Sequence, residues 1–148
     1  KETYSGGSSH NYNADCRSNP DQKGDLFSWC AVYRFQDLLC PDGWRVPTGE
    51  DFKNLDIALG HTGENGDRDI AFINSHYLET SVWGGNYSGH CGSDSSLRYQ
   101  DARGLYWSQS EADADTTKGY SLDFGAAGFI YPQIAYGKYS GHTLRCVR

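Results

Sequence analysis

The stretch 104–148 limits the fold most. It holds four runs in which apolar and polar residues alternate, 104–110, 119–124, 128–131 and 141–147, with Gly and Lys at the turns between them. Alternation of this kind marks half-buried strands. In the last run Leu144 and Cys146 fall on one face, and Thr143, Arg145 and Val147 on the other. A sheet built mainly from the C-terminal half is expected, with the rest of the chain as its scaffold.

Helical signals precede the strands. Thr48 is placed to cap a first turn, Glu50 and Asp51 sit at its positive end, and Phe52, Leu55 and Leu59 share a face before Gly60 ends the run. Residues 25–40 carry apolar side chains at 27, 31, 35, 38 and 39, close to helical spacing, although the Trp, Val, Tyr and Phe among them would also suit a strand. A helix is expected there, stopped by Cys40-Pro41-Asp42-Gly43. Residues 69–78 form a short helix or strand with Ile70, Ile73 and Tyr77 buried. Residues 83–104 are a long Gly- and Ser-rich excursion pinned by Trp83 and Cys91, and long ordered loops tend to be functional or held by their own packing. Residues 1–24, rich in Gly, Ser, Asn and Asp, form an N-terminal arm, irregular or a short edge strand. With 148 residues there is room for one domain, 25–148, behind that arm, in a mixed α+β chain.

Charge narrows the partners. A net charge of -6 and a pI near 5.2 leave nucleic acid and anionic lipid as poor partners, since either needs clustered Lys and Arg. No apolar run approaches the roughly 18 residues of a membrane span, so direct membrane insertion is not expected. The polar opening from Lys1 has no signal-peptide core, as in a mature or trimmed chain, and export is open to it. The five cysteines include no CxxC pair and no His at finger spacing, so no structural zinc is expected. One or two disulfides plus a leftover thiol suit the count: Cys40 with Cys146 first, Cys16 with Cys30 second, Cys91 left over. The first would close a loop of more than a hundred residues, a stabilisation on the order of 4 kcal/mol. Fully reduced, the five would simply be small buried hydrophobes.

Catalysis finds little support. There is no GxSxG, HExxH or P-loop, and the histidines at 10, 61, 76, 90 and 142 stand singly. His90 and Cys91 are sequence neighbours that point apart on an extended chain. No catalytic residue and no cofactor is expected. Tyr131-Pro132-Gln133 departs from the Glu-Pro-Asn or Gln-Pro-Asp of calcium-dependent lectins, Trp-Asn-Asp is absent, and Asp113, Asp115 and Asp123 are expected as a solvated acidic loop, so no metal site is expected.

Three motifs carry a resemblance. The phrase CPDGWRVPTGEDFKNL at 40–55, Tyr106-Trp107-Ser108 and the closing LRCVR at 144–148 resemble the Fibrobacter succinogenes major paralogous domain, a bacterial surface module, over residues 27–148. The resemblance implies a C-type lectin-like fold of the formylglycine-generating-enzyme-like variety, with two helices, a small antiparallel sheet and long loops. Oxidases related to that family rely on an active-site cysteine pair that this chain does not clearly supply. Residues 106–145 also resemble the variable region of diversity-generating retroelement proteins, in which randomised adenines turn an Asn codon into Ala, Asp, Gly, Ser, Thr, Tyr, Phe, Ile or His. Segment 111–143 is made mainly of those residues and contains no Asn. The stretches Trp83-Gly84-Gly85 and Tyr87-Ser88-Gly89-His90-Cys91 resemble such relatives too.

The resemblance implies a hypervariable face in 112–142 that meets a protein or glycan on another cell, displayed on a bacterial outer surface, a pilus tip or a phage tail. The expected contact residues are Asp113, Asp115, Tyr120, Asp123, Phe129, Tyr131, Ile134, Tyr136, Tyr139 and His142. Tyr131, Ile134, Tyr136 and Tyr139 lie in a segment that looks too irregular for a core strand, and Tyr gives large, fairly rigid contact area at small entropic cost. Trp107 and Arg145 are expected as scaffold, the ring in the core and the guanidinium on backbone carbonyls. The other reading is a fixed structural or interaction module of the bacterial cell envelope.

Overall fold

Thr48 starts a helix as its position predicts. The computed structural model describes residues 25–148; the expected arm 1–24, and Cys16 with it, lies outside them. In chain order the elements are β1 (Phe27–Ser28), α1 (Trp29–Arg34), α2 (Gln36–Leu39), α3 (Gly49–Ala58), β2 (Gly66–Asp67), α4 (Ile70–Phe72) widening into a π-helical turn (Ile73–Leu78), β3 (His90–Cys91), β4 (Leu97–Arg98), β5 (Arg103–Glu111), β6 (Lys118–Gly125), β7 (Phe129–Gly137) and β8 (Gly141–His142). They make an α+β fold with two antiparallel sheets, ordered β2-β7-β6-β5 and β1-β8-β3-β4. Thr143, just past β8, bridges Tyr106 in parallel and joins the second sheet to the first.

The larger sheet is buried on one side by helices. Tyr106, Leu122, Phe124 and Ile130 pack against Phe52 of α3, Ile73 and Tyr77 of the π-helical turn, and Trp83. The Thr48 cap is reciprocal: its hydroxyl accepts from the Asp51 amide, and the Asp51 side chain accepts from the Thr48 amide at 2.6 Å. A second cluster places Trp29 and Val32 of α1 with Val46, Cys40 and Trp107, and a third joins Leu26 to Cys91. Trp83 and Cys91, the expected pins of the long excursion, are both buried.

Residues 25–40 depart from the single helix expected. Residues 27 and 28 pair with β8, so helix begins only at Trp29, capped by the Ser28 side chain, and Phe35 breaks it at φ -112°. The buried stripe is Trp29 and Val32, whereas Phe35 is exposed and Leu38 is 82% exposed. Ile70, expected inside, is 38% exposed, because the π-helical turn directs Ile73 and Tyr77 inward instead.

β7 also differs. It is a regular strand over nine residues rather than four, and it lies inside its sheet between β2 and β6. Its ladder with β6 is interrupted once, where Ser121 pairs with Ile134 and Asp123 with Tyr131. Pro132 falls in that bulge, where its missing N–H breaks no ladder bond. The closing run 141–147 is regular only at β8 and continues as single bridges, with Val147 opposite Arg45.

Cys40 and Cys146 form the expected disulfide, with a Cα–Cα distance of 5.8 Å across a sequence separation of 106. The other cysteine expectations are corrected. Cys91, expected as the leftover thiol, is disulfide-bonded, and Cys30, expected to bridge Cys16, carries a thiol among the residues packed on Trp29 and Val32.

Candidate functional site

β7 turns two faces in opposite directions. Ile130 is wholly buried and Pro132 is buried with it, while Phe129, Tyr131, Ile134 and Tyr136 are each half-buried. These four stand on the strand face whose neighbours on β6 are Gly125, Asp123, Ser121 and Gly119. The core helices α3 and the π-helical turn occupy the other face; on this one α1 covers the part nearest β5, where Trp107 packs on Trp29 and Val32 and Leu105, Ser121 and Asp123 are wholly buried, so the open part is the β7 side at Phe129, Tyr131 and Ile134.

An ion pair lies at the centre of the face. Arg103, first residue of β5, donates from Nε to Asp123 Oδ1 at 3.1 Å and from Nη2 to Asp123 Oδ2, and Nη2 also reaches the Tyr136 hydroxyl at 2.8 Å. The Tyr136 hydroxyl donates to Asp123 Oδ2 at 2.6 Å. Asp123 is wholly buried, and burial pushes its carboxyl upward in pKa against the opposing pull of Arg103 and Tyr136. Burial also opposes the charge on Arg103, but the hydrogen bond and charge of Asp123 outweigh it and hold the guanidinium protonated.

Aromatic rings bracket the guanidinium. Its Cζ lies 5.1 Å from the Tyr99 ring centre and 5.0 Å from that of Phe129, and Phe129 stacks on Tyr131 at 5.0 Å. Tyr99, Arg103, Phe129 and Tyr131 thus form a column across the sheet face. Tyr99 holds the left-handed φ of +56°, uncommon for an aromatic residue, and is 52% exposed.

Two histidines back the column. His142 stacks on Trp107 at 3.9 Å, meets Tyr136 edge-on at 4.9 Å and binds Ser121 through Nδ1 at 3.0 Å. His90 lies 5.8 Å from His142 and 5.6 Å from Tyr99. Burial, then the charges of Arg103 and Arg98, lower the pKa of His90 to about 4; burial, then His90 and Arg103, push His142 well below its usual value. Both are neutral at pH 7. Nδ1 of His90 and Nε2 of His142 are buried without a hydrogen-bond partner.

The expected contact residues therefore divide. Phe129, Tyr131, Ile134 and Tyr136 share one face, with Asp123 and His142 beneath it; having no exposed surface, these last two support the face and do not form it. Asp113, Asp115 and Tyr120 lie elsewhere, where β5 turns into β6. The Tyr120 hydroxyl donates to Asp113 at 3.2 Å, and Asp115 accepts from Thr117 and pairs with Lys118 at 3.2 Å. Tyr139 is 40% exposed in the turn after β7. Among the described residues no group of His, Cys, Asp and Glu could hold a metal ion. Arg103, Tyr99 and His90 were not expected in the site. Arg103 could have been read from alternation, because it stands two residues before the buried Leu105 on the same strand face. Tyr99 had no signal, since its position follows from a backbone turn without glycine.

The three motifs at 40–55, 106–108 and 144–148 meet in space. Cys40 bonds Cys146, Arg45 and Val147 exchange backbone hydrogen bonds at 2.8 Å, and Tyr106 bridges Thr143. A profile of the Fibrobacter succinogenes major domain matches residues 2–148. The chain belongs to that family. The match extends well beyond residues 27–148, where the motifs alone place it. No curated protein and no solved structure matches the chain. The family motifs build the frame: Arg45 pairs with Asp51 beside the Thr48 cap, Trp107 is wholly buried, and Arg145 donates to the Gly84 carbonyl at 2.9 Å over the Trp83 ring. Of their residues Trp107 shares the sheet face of Ile134, in its covered part beneath His142, and none lies on β7 itself.

Proposed function

We propose that the chain is a non-catalytic recognition module of the bacterial or phage surface, a C-type lectin-like scaffold whose open β7 face meets a protein or glycan on another cell. The observation that carries this reading is the grouping of Phe129, Tyr131, Ile134 and Tyr136, half-buried on one strand face, above a fixed Arg103–Asp123 pair. Aromatic residues and Arg over a rigid sheet are the composition of energetic centres in protein interfaces. The codon-like composition of 111–143 supports diversification by a retroelement, acting on residues outside the frame.

The test is a triple variant, Tyr131→Ala, Ile134→Ala and Tyr139→Ala, which spares Tyr136 because its hydroxyl ties Asp123. Fluorescently labelled domain is scored on intact cells and on a glycan array. The variant is expected to melt within a few degrees of the parent and to lose binding; a variant that unfolds would show that these rings are core. A fixed module of the cell envelope is the second reading, favoured by Tyr136, whose hydrogen bonds to both Asp123 and Arg103 suit an unvarying position.

A further inference from the structure

Building on the reading of the β7 face as a contact surface, we propose that Arg103 is a carboxylate receptor at its centre and that the partner is a protein presenting an Asp or Glu side chain there. A guanidinium has five N–H groups. Nε and Nη2 of Arg103 are committed to Asp123 and Tyr136, while Nη1 donates to nothing among the described residues and the side chain keeps 22% exposure. The cation is therefore fixed in place with one edge unused.

The surroundings of that edge favour an anion. Ring faces carry the negative part of the aromatic quadrupole and ring edges the positive part. Tyr99 and Phe129 turn their faces to the cation, so the outer side of the column presents ring edges and Nη1 together. Asp123, the carboxylate that Arg103 already holds, is wholly buried and bonded, so it leaves Nη1 without an acceptor. A carboxylate completes that arrangement, with a charge-assisted bond to Nη1.

The flanks favour a protein over a glycan. Sugar hydroxyls need several fixed polar partners, whereas Phe129, Tyr131 and Ile134 offer apolar and aromatic surface with a single hydroxyl. The net charge of -6 opposes an acidic partner at long range, but screening confines that effect to a Debye length of about 8 Å at physiological salt. The receptor therefore acts on docked partners and does not steer them.

Propionate, the carboxylate of a Glu side chain, is the probe, with propionamide as its neutral counterpart and glucuronate as the acidic-sugar arm. Each is titrated at pH 7 and constant ionic strength into 15N-labelled full chain while the Arg103 Nε–H and the amides of 99–103 and 129 are followed. Propionate is expected to give saturable shifts confined to those groups, and propionamide none. Arg103→Lys should abolish the shifts. Tyr99→Ala, which leaves the Asp123 pair untouched, should weaken propionate about threefold, and it carries the comparison if the Arg103 variant does not fold. Shifts that do not saturate, or that propionamide reproduces, overturn the receptor. Glucuronate binding about tenfold tighter than propionate overturns the protein assignment, and any smaller preference supports it. Failure here with the Tyr131, Ile134 and Tyr139 variant still deficient in binding removes the carboxylate and leaves the binding face intact.

Discussion

At the scale of single residues, Asp123 shows what the open face demands of its support. Its carboxylate has no exposure and holds its charge through Arg103 and the Tyr136 hydroxyl. Tyr136→Phe removes one donor from that carboxylate, at a cost of about 1–2 kcal/mol in urea unfolding. His90 supplies a pH dependence of definite sign. Its pKa is about 4 in the folded chain against 6.5 when unperturbed, so as the pH falls below 6.5 the unfolded chain takes up a proton that the folded chain refuses. Stability is full above that window, drops through it and levels off below about pH 4. At pH 5 the loss from His90 is about 2 kcal/mol, and His142 acts in the same direction. Urea midpoints at pH 7 and pH 5 measure it: His90→Asn should shrink the drop by that amount, and an unchanged drop would remove His90 as its source. None of this was legible in the sequence, where Asp123 looks like one of several acids and the histidines look scattered. The distances that bring 90, 103, 123, 136 and 142 together are set by pairings between remote strands.

Elements were legible where local chemistry decides them. The Thr48 cap, the acids in the first turn and the Phe52 stripe fix α3 within a dozen residues, and all three are present in the structure. Thr48→Ala should cost about 1 kcal/mol, read by urea denaturation, because it breaks both halves of the capping box. Strands β5 and β6 were legible from alternation to within a residue or two. Where partners elsewhere decide, the sequence misled. Residue 27 shares helical spacing with 31, 35 and 38, but residues 27 and 28 are taken by β8, and that apolar set ends up half-buried or exposed instead of in the core. The run 128–131 was legible as a strand, but the segment beyond it looked too irregular for a core strand, with its Tyr and Ile among Gly, Ala and Ser, and only the pairing with β6 shows that a bulge absorbs Pro132 and carries the strand on to Gly137.

At the scale of the whole molecule, the frame and the open face come from different parts of the sequence. Residues 40–55, 106–108 and 144–148 close the frame, and Cys40–Cys146 ties its ends across most of the described chain. Making Cys40→Ala with Cys146→Ala, which leaves the Cys91 bridge in place, should lower stability by about 4–5 kcal/mol if the loop entropy of the unfolded chain dominates, read by urea denaturation of parent and variant. The pairing was legible from the cysteine pattern. The bonded state of Cys91 was not, because it depends on where β3 sits in the second sheet. The expected variable tract also changes character: Ser121, Leu122, Asp123, Phe124, Ile130 and His142 lie inside it and are wholly buried, so room for change is left at the partly exposed positions such as 129, 131, 134 and 139. Sequencing the gene and its flanks in many independent isolates tests this most directly. The account predicts a reverse-transcriptase gene nearby, a near-copy of the 3′ coding end differing at adenines, and substitutions at 129, 131, 134 and 139 with 107, 122, 124 and 130 constant. An invariant tract with no near-copy, or substitutions falling equally on both faces of β7, would contradict it.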